Sequence, residues 1–470
     1  MVDGDLLLFT DWRGDPDQLL DGPGTEIARV LCVAATRGVQ VRGLVWRSHL
    51  DRFAFSEQEN RHLGEDINAA GGQVLRDMRV RPGGSHHQKF VVLRHPGRPD
   101  LDVAFVGGID LCHSRGDDTN HAGDAQRQPM AKVYGTRPPW HDVQLAIRGP
   151  AVGDVETVFR ERWEDPAALN RNPIDRIADR LDGGPPVAVR PLPVQLPDPP
   201  SCGNHAVQLL RTYPKRRPGY PFAPDGERSI ALGYQKAVAN ARGLIYLEDQ
   251  YLWSRAVVAC LAAAVQSNPG LHLIAVIPRY PDQDGRWSTP PNLIGRVRAL
   301  QALYRAGGER VGVYGLENHA GTPVYVHAKV AIIDDTWCSV GSGNLNRRSW
   351  THDSELSCAV RDADSNPADN GSTFAGALRL QLACEHLDRS PEDVADLLDP
   401  ASAFAAFRET ARRLDSWHDA DRSDPRPPGR LRSYPTPALG RRTRIWSELP
   451  YRTVYDPDGR PPRLRVTRRF

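Results

Sequence analysis

Apolar and polar positions alternate along this chain with two periods, and the periods take turns. DLLLFTDW (5–12) reads as a strand, and 25–37 repeats its apolar residues at helical spacing. VQVRGLVW (39–46) is strand-like again, 57–70 helical and QVLRDMRV (73–80) a further strand. HQKFVVLRH (87–95), DVAFVGGID (102–110) and VQLAIRG (143–149) follow, and then a helix near 151–164. This order predicts a layered α/β unit. A helix near 227–242 restarts it, with GLIYLEDQ, a helix near 255–267, LHLIAVIP, a helix near 294–306, RVGVYGL, VHAKVAIIDD, CSVGSGN, ELSCAV and a helix near 372–388. The chain reads as an internal duplication.

The predicted organisation is a first lobe over 1–170, a linker over 171–203, a second lobe over 204–390 and a tail over 391–470. The linker contains GGPPVAVRPLPVQLPDPP (183–200), which neither continues a helix nor pairs as a central strand. The tail is rich in Pro, Arg and Asp, with Trp417, Trp446 and Tyr451 as its few anchors. It is expected to wrap the second lobe with little regular structure.

Composition narrows the field. A length of 470 residues suits two or three compact units. The net charge of +2 and the lack of a basic run give no sign of a nucleic-acid partner, although modest basicity suits a phosphate-bearing one. Seven scattered cysteines without a C-x-x-C pair speak against a disulfide framework and a zinc site. The N-terminus lacks the charge and apolar length of a signal peptide, and no segment reaches the apolar length of a membrane span. The expectation is a cytoplasmic monomer, at most peripherally attached to a membrane.

The rare residue is lysine. Of only five, Lys89 and Lys329 lie in His-x-Lys tripeptides, His87-Gln88-Lys89 and His327-Ala328-Lys329. Chance gives roughly 0.2 such tripeptides in a chain of this composition. Both occur at the corresponding strand of each copy, and both are followed by a small-residue turn, Val106-Gly107-Gly108-Ile109-Asp110 and Val340-Gly341-Ser342-Gly343-Asn344. In an extended strand, positions i and i+2 share a face, so each His and Lys converge on one ligand. Lysine supplies fixed charge, histidine a nitrogen that titrates near neutrality, and the turns allow close approach to phosphate. Across a phosphodiester, one histidine can attack and the other protonate the leaving alkoxide. A single His-x-Lys is more often a polar strand edge; the matched pair reverses that weighting.

VHAKVAIIDD with GSGNLNRRS resembles the H-x-K-x4-D and G-S-x-N signature of the phospholipase D superfamily, through His327, Lys329, Asp334, Ser342 and Asn344. FTDW, GSHHQK, FVGGIDLC, PWHDVQLAIRGPAV, IYLEDQY and HDSEL resemble segments of its eukaryotic-type members in the same order, over roughly residues 5 to 390. The resemblance implies two tandem α/β/α sandwich lobes facing each other, one active site at their pseudo-twofold interface, and a phosphohistidine intermediate without a metal or other cofactor. It assigns attack to His87 and proton donation to His327. Lys89, Lys329 and Asn344 would hold the phosphate oxygens, with Ser342, Asp110 and Gly108 also on the substrate. Asp142 and Glu355 match the carboxylates that fix the histidine tautomers. Asp334 is expected to act as a strand-end brace.

Position 94 departs from the motif, with Arg94 where it asks for Asp. Strand alternation puts Arg94 on the face opposite Lys89, so its replacement is expected to alter a supporting contact by about 1 kcal/mol. The expected activity is hydrolysis of glycerophospholipids to phosphatidate and headgroup alcohol, with transphosphatidylation as its extension. The alternatives are a phosphatidyltransferase of cardiolipin-synthase type, a nuclease, and a noncatalytic phosphate or lipid binder. Glu248 and Asp249 are read as scaffold, KRRPGY (215–220) as a solvated loop, and Arg347 and Ser349 as pocket neighbours without a firm role.

Overall fold

The computed structural model describes residues 1–48, 56–173, 177, 188–362, 373–467 and 470. The first lobe carries β1 (Leu6–Asp11), β2 (Gln40–Trp46), β3 (Gln73–Asp77), β4 (Phe90–Arg94), β5 (Val103–Gly107), the two-residue β6 (Trp140–His141) and β7 (Gln144–Ile147). Its helices are α1 (Ile27–Thr36), α2 (Glu57–Ala69) and α3 (Ala151–Trp163). Six of the strands form a sheet in the order β3-β2-β1-β4-β5-β7. β1, β2 and β3 run parallel, and β4, β5 and β7 pair antiparallel.

The second lobe holds β8 (His205–Tyr213), β9 (Glu227–Arg228), β10 (Leu244–Asp249), β11 (His272–Val276), β12 (Val311–Glu317), β13 (Pro323–Val326), β14 (Lys329–Ile333), β15 (Trp337–Gly341) and β16 (Glu355–Asp362). Its helices are α4 (Ser229–Ala239), α5 (Arg255–Ser267), α6 (Thr289–Gly307), α7 (Arg347–Thr351) and α8 (Phe374–Leu387). The order β12-β11-β10-β14-β15-β16 repeats that of the first lobe, extended by β13 and β6 at one end and by β8 and β9 at the other. The duplication read from the sequence is therefore a duplication of topology.

Strand alternation divides the core. Leu6 and Leu8 of β1, with Phe90, Val92 and Val106, point inward and share one cluster with Val330, Ile332, Val340 and Leu356 of the second lobe. Leu7 and Phe9 point outward and pack with Ile27, Leu31, Leu63 and Ile67 of α1 and α2. The second lobe's outer face is covered likewise, Ile245 and Leu273 meeting Val258, Leu261 and Leu300. The sheets thus face each other across one apolar layer. Each is covered on both faces, which explains why its strands are apolar almost throughout.

Two expectations need correction. The tail is not irregular: α9 (Pro400–Asp419) is a 20-residue helix, followed by β17 (Leu431–Ser433), α10 (Arg441–Pro450), a π turn (Tyr451–Tyr455) and α11 (Pro462–Val466). Asp399 caps α9 by accepting from Ser402 N at 2.8 Å, and Phe404, Phe407, Ala411 and Leu414 form its buried stripe. That helical period prevails over the Pro- and Arg-rich composition around it. The tail does wrap the second lobe, β17 pairing with β12. The linker, of which 174–176 and 178–187 lie outside the described residues, is pinned to the first lobe: Trp163 Nε1 donates to Arg190 O at 3.0 Å, and Gln73 Nε2 to Ala188 O at 2.8 Å.

The second correction concerns Arg94. Its partner position in the duplication, Asp334, accepts from the backbone N–H groups of Arg242, Gly243 and Leu244 at 2.6 to 2.9 Å, bracing the turn into β10. Arg94 braces a different element. Fully buried, it places Nε 3.1 Å from Glu156 on α3 and 3.4 Å from Asp102, and donates to Leu196 O and Pro197 O of the linker. The guanidinium neutralises two buried carboxylates and ties linker to lobe, a larger duty than a supporting contact of about 1 kcal/mol. Arg94→Asp leaves three carboxylates together and is expected to lower the unfolding free energy by about 3 to 5 kcal/mol in denaturant titration. The turnover of the folded fraction should change less than about tenfold, because Arg94 closes the far end of β4, roughly 16 Å along the chain from Lys89. A stable variant that loses its turnover would contradict this assignment.

Candidate active site

Each lobe lends the other a carboxylate. His86 bridges to Ser354 in parallel fashion, His87 N donates to Ser354 O at 2.9 Å, and His87 Nδ1 lies 2.8 Å from Glu355 Oε2. Reciprocally, β6 pairs with β13, His327 N donates to His141 O at 2.7 Å, and His327 Nδ1 lies 2.7 Å from Asp142 Oδ2. With Nδ1–H given to a carboxylate, each histidine keeps its Nε2 lone pair for the cavity between the lobes. This cavity of about 560 Å³ is lined by both histidines together with Trp12, Asp110, Trp140, Tyr325 and Asn344. Residues 87–89 leave the strand that alternation predicts, since Ser354 draws His87 toward the second lobe and β4 begins only at Phe90.

The lysines sit beneath the histidines. Lys89 Nζ donates to His87 O at 3.0 Å and pairs with Asp110 at 3.2 Å; Lys329 Nζ donates to His327 O. Burial works to raise the Asp110 pKa, but Lys89 and Arg115 outweigh it and hold the group far below the usual carboxylate range. Asp11, buried against Asp110, is pushed well up. Burial, then Lys329 and Arg115, press His327 well below its ordinary value and keep its ring neutral. Lys329 itself is pushed down to about 8 by burial, with Asp142 opposing and Lys89 adding to the depression. The arrangement concentrates positive charge around an accessible pair of imidazole lone pairs, a setting for a bound phosphodiester anion.

Not every residue singled out from sequence faces that cavity. Asn344 does, and its Oδ1, buried, has no hydrogen-bond partner among the described residues. Ser342 lies behind the site: its hydroxyl donates to Glu355 Oε2 at 2.6 Å and orients that carboxylate. Gly108 serves by absence, because a Cβ there would stand 2.2 Å from Asp142 Oδ1. In the empty site Ser342 and Gly108 support Glu355 and Asp142, and neither lines the cavity. Asp110 lines the cavity but is engaged by Lys89 and by Arg115 Nη2 at 3.0 Å. Within KRRPGY, Arg216 is buried on Asp165 and stacked 4.0 Å over Tyr220, so the loop is anchored at Arg216 and Tyr220 while Lys215, Arg217 and Pro218 stay exposed. Arg347 binds Asp456 and Ser349 lines the cavity.

Sequence reasoning missed the aromatic walls. Trp140 stands between the guanidinium of Arg115, 3.9 Å from its ring, and His327, at 4.9 Å between centroids, while Trp12 meets His87 edge-on at 6.2 Å. Trp12 and Trp140 lie in FTDW and PWHD, stretches noticed only as segments. Also missed was a buried network beside Asp142: His141 reaches Glu248 at 2.7 Å and Glu385 at 3.0 Å, His386 reaches Glu248 at 2.7 Å, and His121 reaches Glu385 at 3.1 Å. Three such side chains at a time form metal-type donor groups. Their separations are those of hydrogen bonds, whereas two ligands of one tetrahedral ion stand about 3.3 Å apart. The network holds His141, and with it the strand segment carrying Asp142.

Residues 22–182 match a family model described as Phospholipase D, and residues 237–368 one described as Cardiolipin synthase, PLD-like domain. Phospholipase D alpha 1 of Zea mays is 24% identical over 92% of this chain and 67% of its own length; that of Arabidopsis thaliana is 25% identical over 88% and 65%. The chain thus spans about two thirds of these curated relatives. The phosphatidylserine synthase of Haemophilus influenzae Rd KW20 superposes with a TM-score of 0.50 at 13% identity, covering 89% of both chains, which shows a shared fold.

The depressed Lys329 yields an expectation for binding alone. Sulfate keeps its charge across neutral and alkaline pH, so its affinity for the free protein should fall as the pH rises through about 8. Lys329→Arg should move that fall to higher pH. Calorimetric titration at a series of pH values measures both; a flat profile in the wild type would contradict a charged Lys329 in the site.

Proposed function

The chain belongs to the phospholipase D superfamily, with two such domains in tandem, and from this premise we propose that it cleaves the distal phosphodiester bond of glycerophospholipids. One imidazole Nε2 attacks phosphorus, the P–O bond to the headgroup breaks, and the second imidazole, which takes up a solvent proton at Nε2 when the phosphodiester anion binds, passes that proton to the departing alkoxide. Water, activated by the same second imidazole, then attacks the phosphohistidine and releases phosphatidate. Lys89, Lys329 and Asn344 hold the nonbridging oxygens, and Asp142 and Glu355 fix the tautomers. The observation that carries the reading is the reciprocal pairing of His87 with Glu355 and His327 with Asp142 around one cavity.

Electrostatics bear on which histidine attacks. The resemblance puts attack on His87. His327 is held neutral by burial and by Lys329 in the empty site, the state an attacking imidazole also requires. A second reading of the outcome, transfer to an alcohol in place of water, draws on the match of residues 237–368 to the cardiolipin-synthase type. It shares the intermediate and differs only in the acceptor.

Incubation with mixed phospholipids and ethanol, followed by mass spectrometry, tests the reading: phosphatidate and phosphatidylethanol are expected, and intact lipids would refute it. His87→Asn and His327→Asn should each lower turnover by at least about a thousandfold, since attack and protonation need separate imidazoles. With a substrate whose leaving group needs no proton, only the variant that retains the nucleophile should accumulate phosphoprotein, and peptide mapping then identifies it. In a detergent-dispersed assay, activity should survive EDTA, because lysines rather than a metal neutralise the phosphate. Loss on chelation, restored by one specific metal, would contradict that mechanism.

A further inference from the structure

The tail presents an apolar stripe that no described residue covers. Ile445 is 68% exposed and Leu449 69%. Four positions apart on α10, they share a face. The chain then enters the π turn, closed by Asp456 N donating to Tyr451 O at 2.7 Å. Its longer i to i+5 repeat brings Val454, 60% exposed, into line behind Leu449. Alongside, Trp287, 72% exposed, packs on Trp446 with ring centroids 5.2 Å apart. Val454 also lines the cavity that holds His87 and His327, so the stripe runs to the mouth of the candidate active site.

The charge beside the stripe is mainly positive. Arg441, Arg442 and Arg444 are exposed in the first turns of α10 and have no ion-pair partner among the described residues. They stand at the positive end of the helix dipole, where cations are unfavourable. Arg286 is exposed nearby, and the carboxylate of Glu448 is shared between Arg298 at 2.6 Å and Arg452 at 3.9 Å. An apolar stripe edged by unneutralised arginines matches an interface whose interior is hydrocarbon and whose surface is anionic. Continuity with the cavity mouth favours a lipid occupant, because a phosphodiester held in a bilayer must pass that rim to reach the histidines.

We propose that Trp287, Ile445, Leu449 and the arginines opening α10 form the face by which this chain docks on an anionic phospholipid bilayer. The inference rests on the reading of the cavity as a glycerophospholipid site. The test keeps the two apart by following binding in the full-length His327→Asn protein, which needs no turnover. Sedimentation with vesicles of phosphatidylcholine and phosphatidylglycerol should show binding that weakens in high salt. Adding Ile445→Glu and Leu449→Glu should weaken it by at least about tenfold. In the wild-type background the same pair should leave the thermal midpoint and the turnover of monomeric short-chain phosphatidylcholine unchanged within about twofold, while turnover on vesicles falls. Vesicle binding of the glutamate variant equal to its parent's would overturn the proposal. So would a wild-type dimer that the glutamate pair dissociates, which would make the stripe a contact between copies. Stripe-dependent vesicle binding by a wild type that turns over no glycerophospholipid would uphold the docking face and remove the catalytic reading.

Discussion

The rest of the structure depends on one constraint: neither histidine finds its carboxylate within its own lobe. His87 is oriented by Glu355 and His327 by Asp142, each across the interface. Backbone hydrogen bonds from His87 N to Ser354 O and from His327 N to His141 O hold the segments that make these pairings. A neutral imidazole with Nδ1–H fixed by a carboxylate aims its other nitrogen, and two such imidazoles flanking a cavity form a site that neither lobe contains alone. The shared apolar layer between the sheets serves this requirement, because a shift of the lobes relative to each other would break both pairs at once.

Around this core the two copies have diverged where the chemistry allows it. Asp110 and Asn344 occupy the same place after the small-residue turn, yet Asp110 is consumed by Lys89 and Arg115 while the amide oxygen of Asn344, at the cavity, has no partner among the described residues. Asp334 caps a turn, whereas Arg94 clamps the linker to α3. Each exchange lies outside the histidine–carboxylate pairs. The second copy has also gained strands and a helical tail, and the tail's π turn brings Val454 to the cavity.

Much of this was legible in sequence because it repeats. His-x-Lys followed by a small-residue turn, at the same strand of two copies, marked the catalytic candidates and the duplication together. Two kinds of feature were not. Long-range partners leave no local trace: nothing near His141 announces Glu248, 107 positions away, and nothing near Ser342 shows that its hydroxyl turns toward Glu355 rather than toward a ligand. Elsewhere a local signal was present but overruled, as in α9, whose capping Asp399 and buried Phe404, Phe407 and Leu414 follow helical spacing inside a segment judged by its prolines. The departure of residues 87–89 from the strand is of the first kind, since the pull comes from Ser354.

The cross-lobe pairing is open to direct observation by nitrogen-15 NMR of histidine-labelled protein, which reports the tautomer and partner of each ring. Both His87 and His327 should show a protonated Nδ1, and His327 an unprotonated Nε2 near neutral pH. Asp142→Asn should shift the Nδ1 signal of His327 and leave that of His87 in place, and Glu355→Gln should do the opposite. If each substitution instead perturbs the histidine of its own lobe, or neither histidine holds the Nδ1–H tautomer, the two lobes do not make one site in the way described.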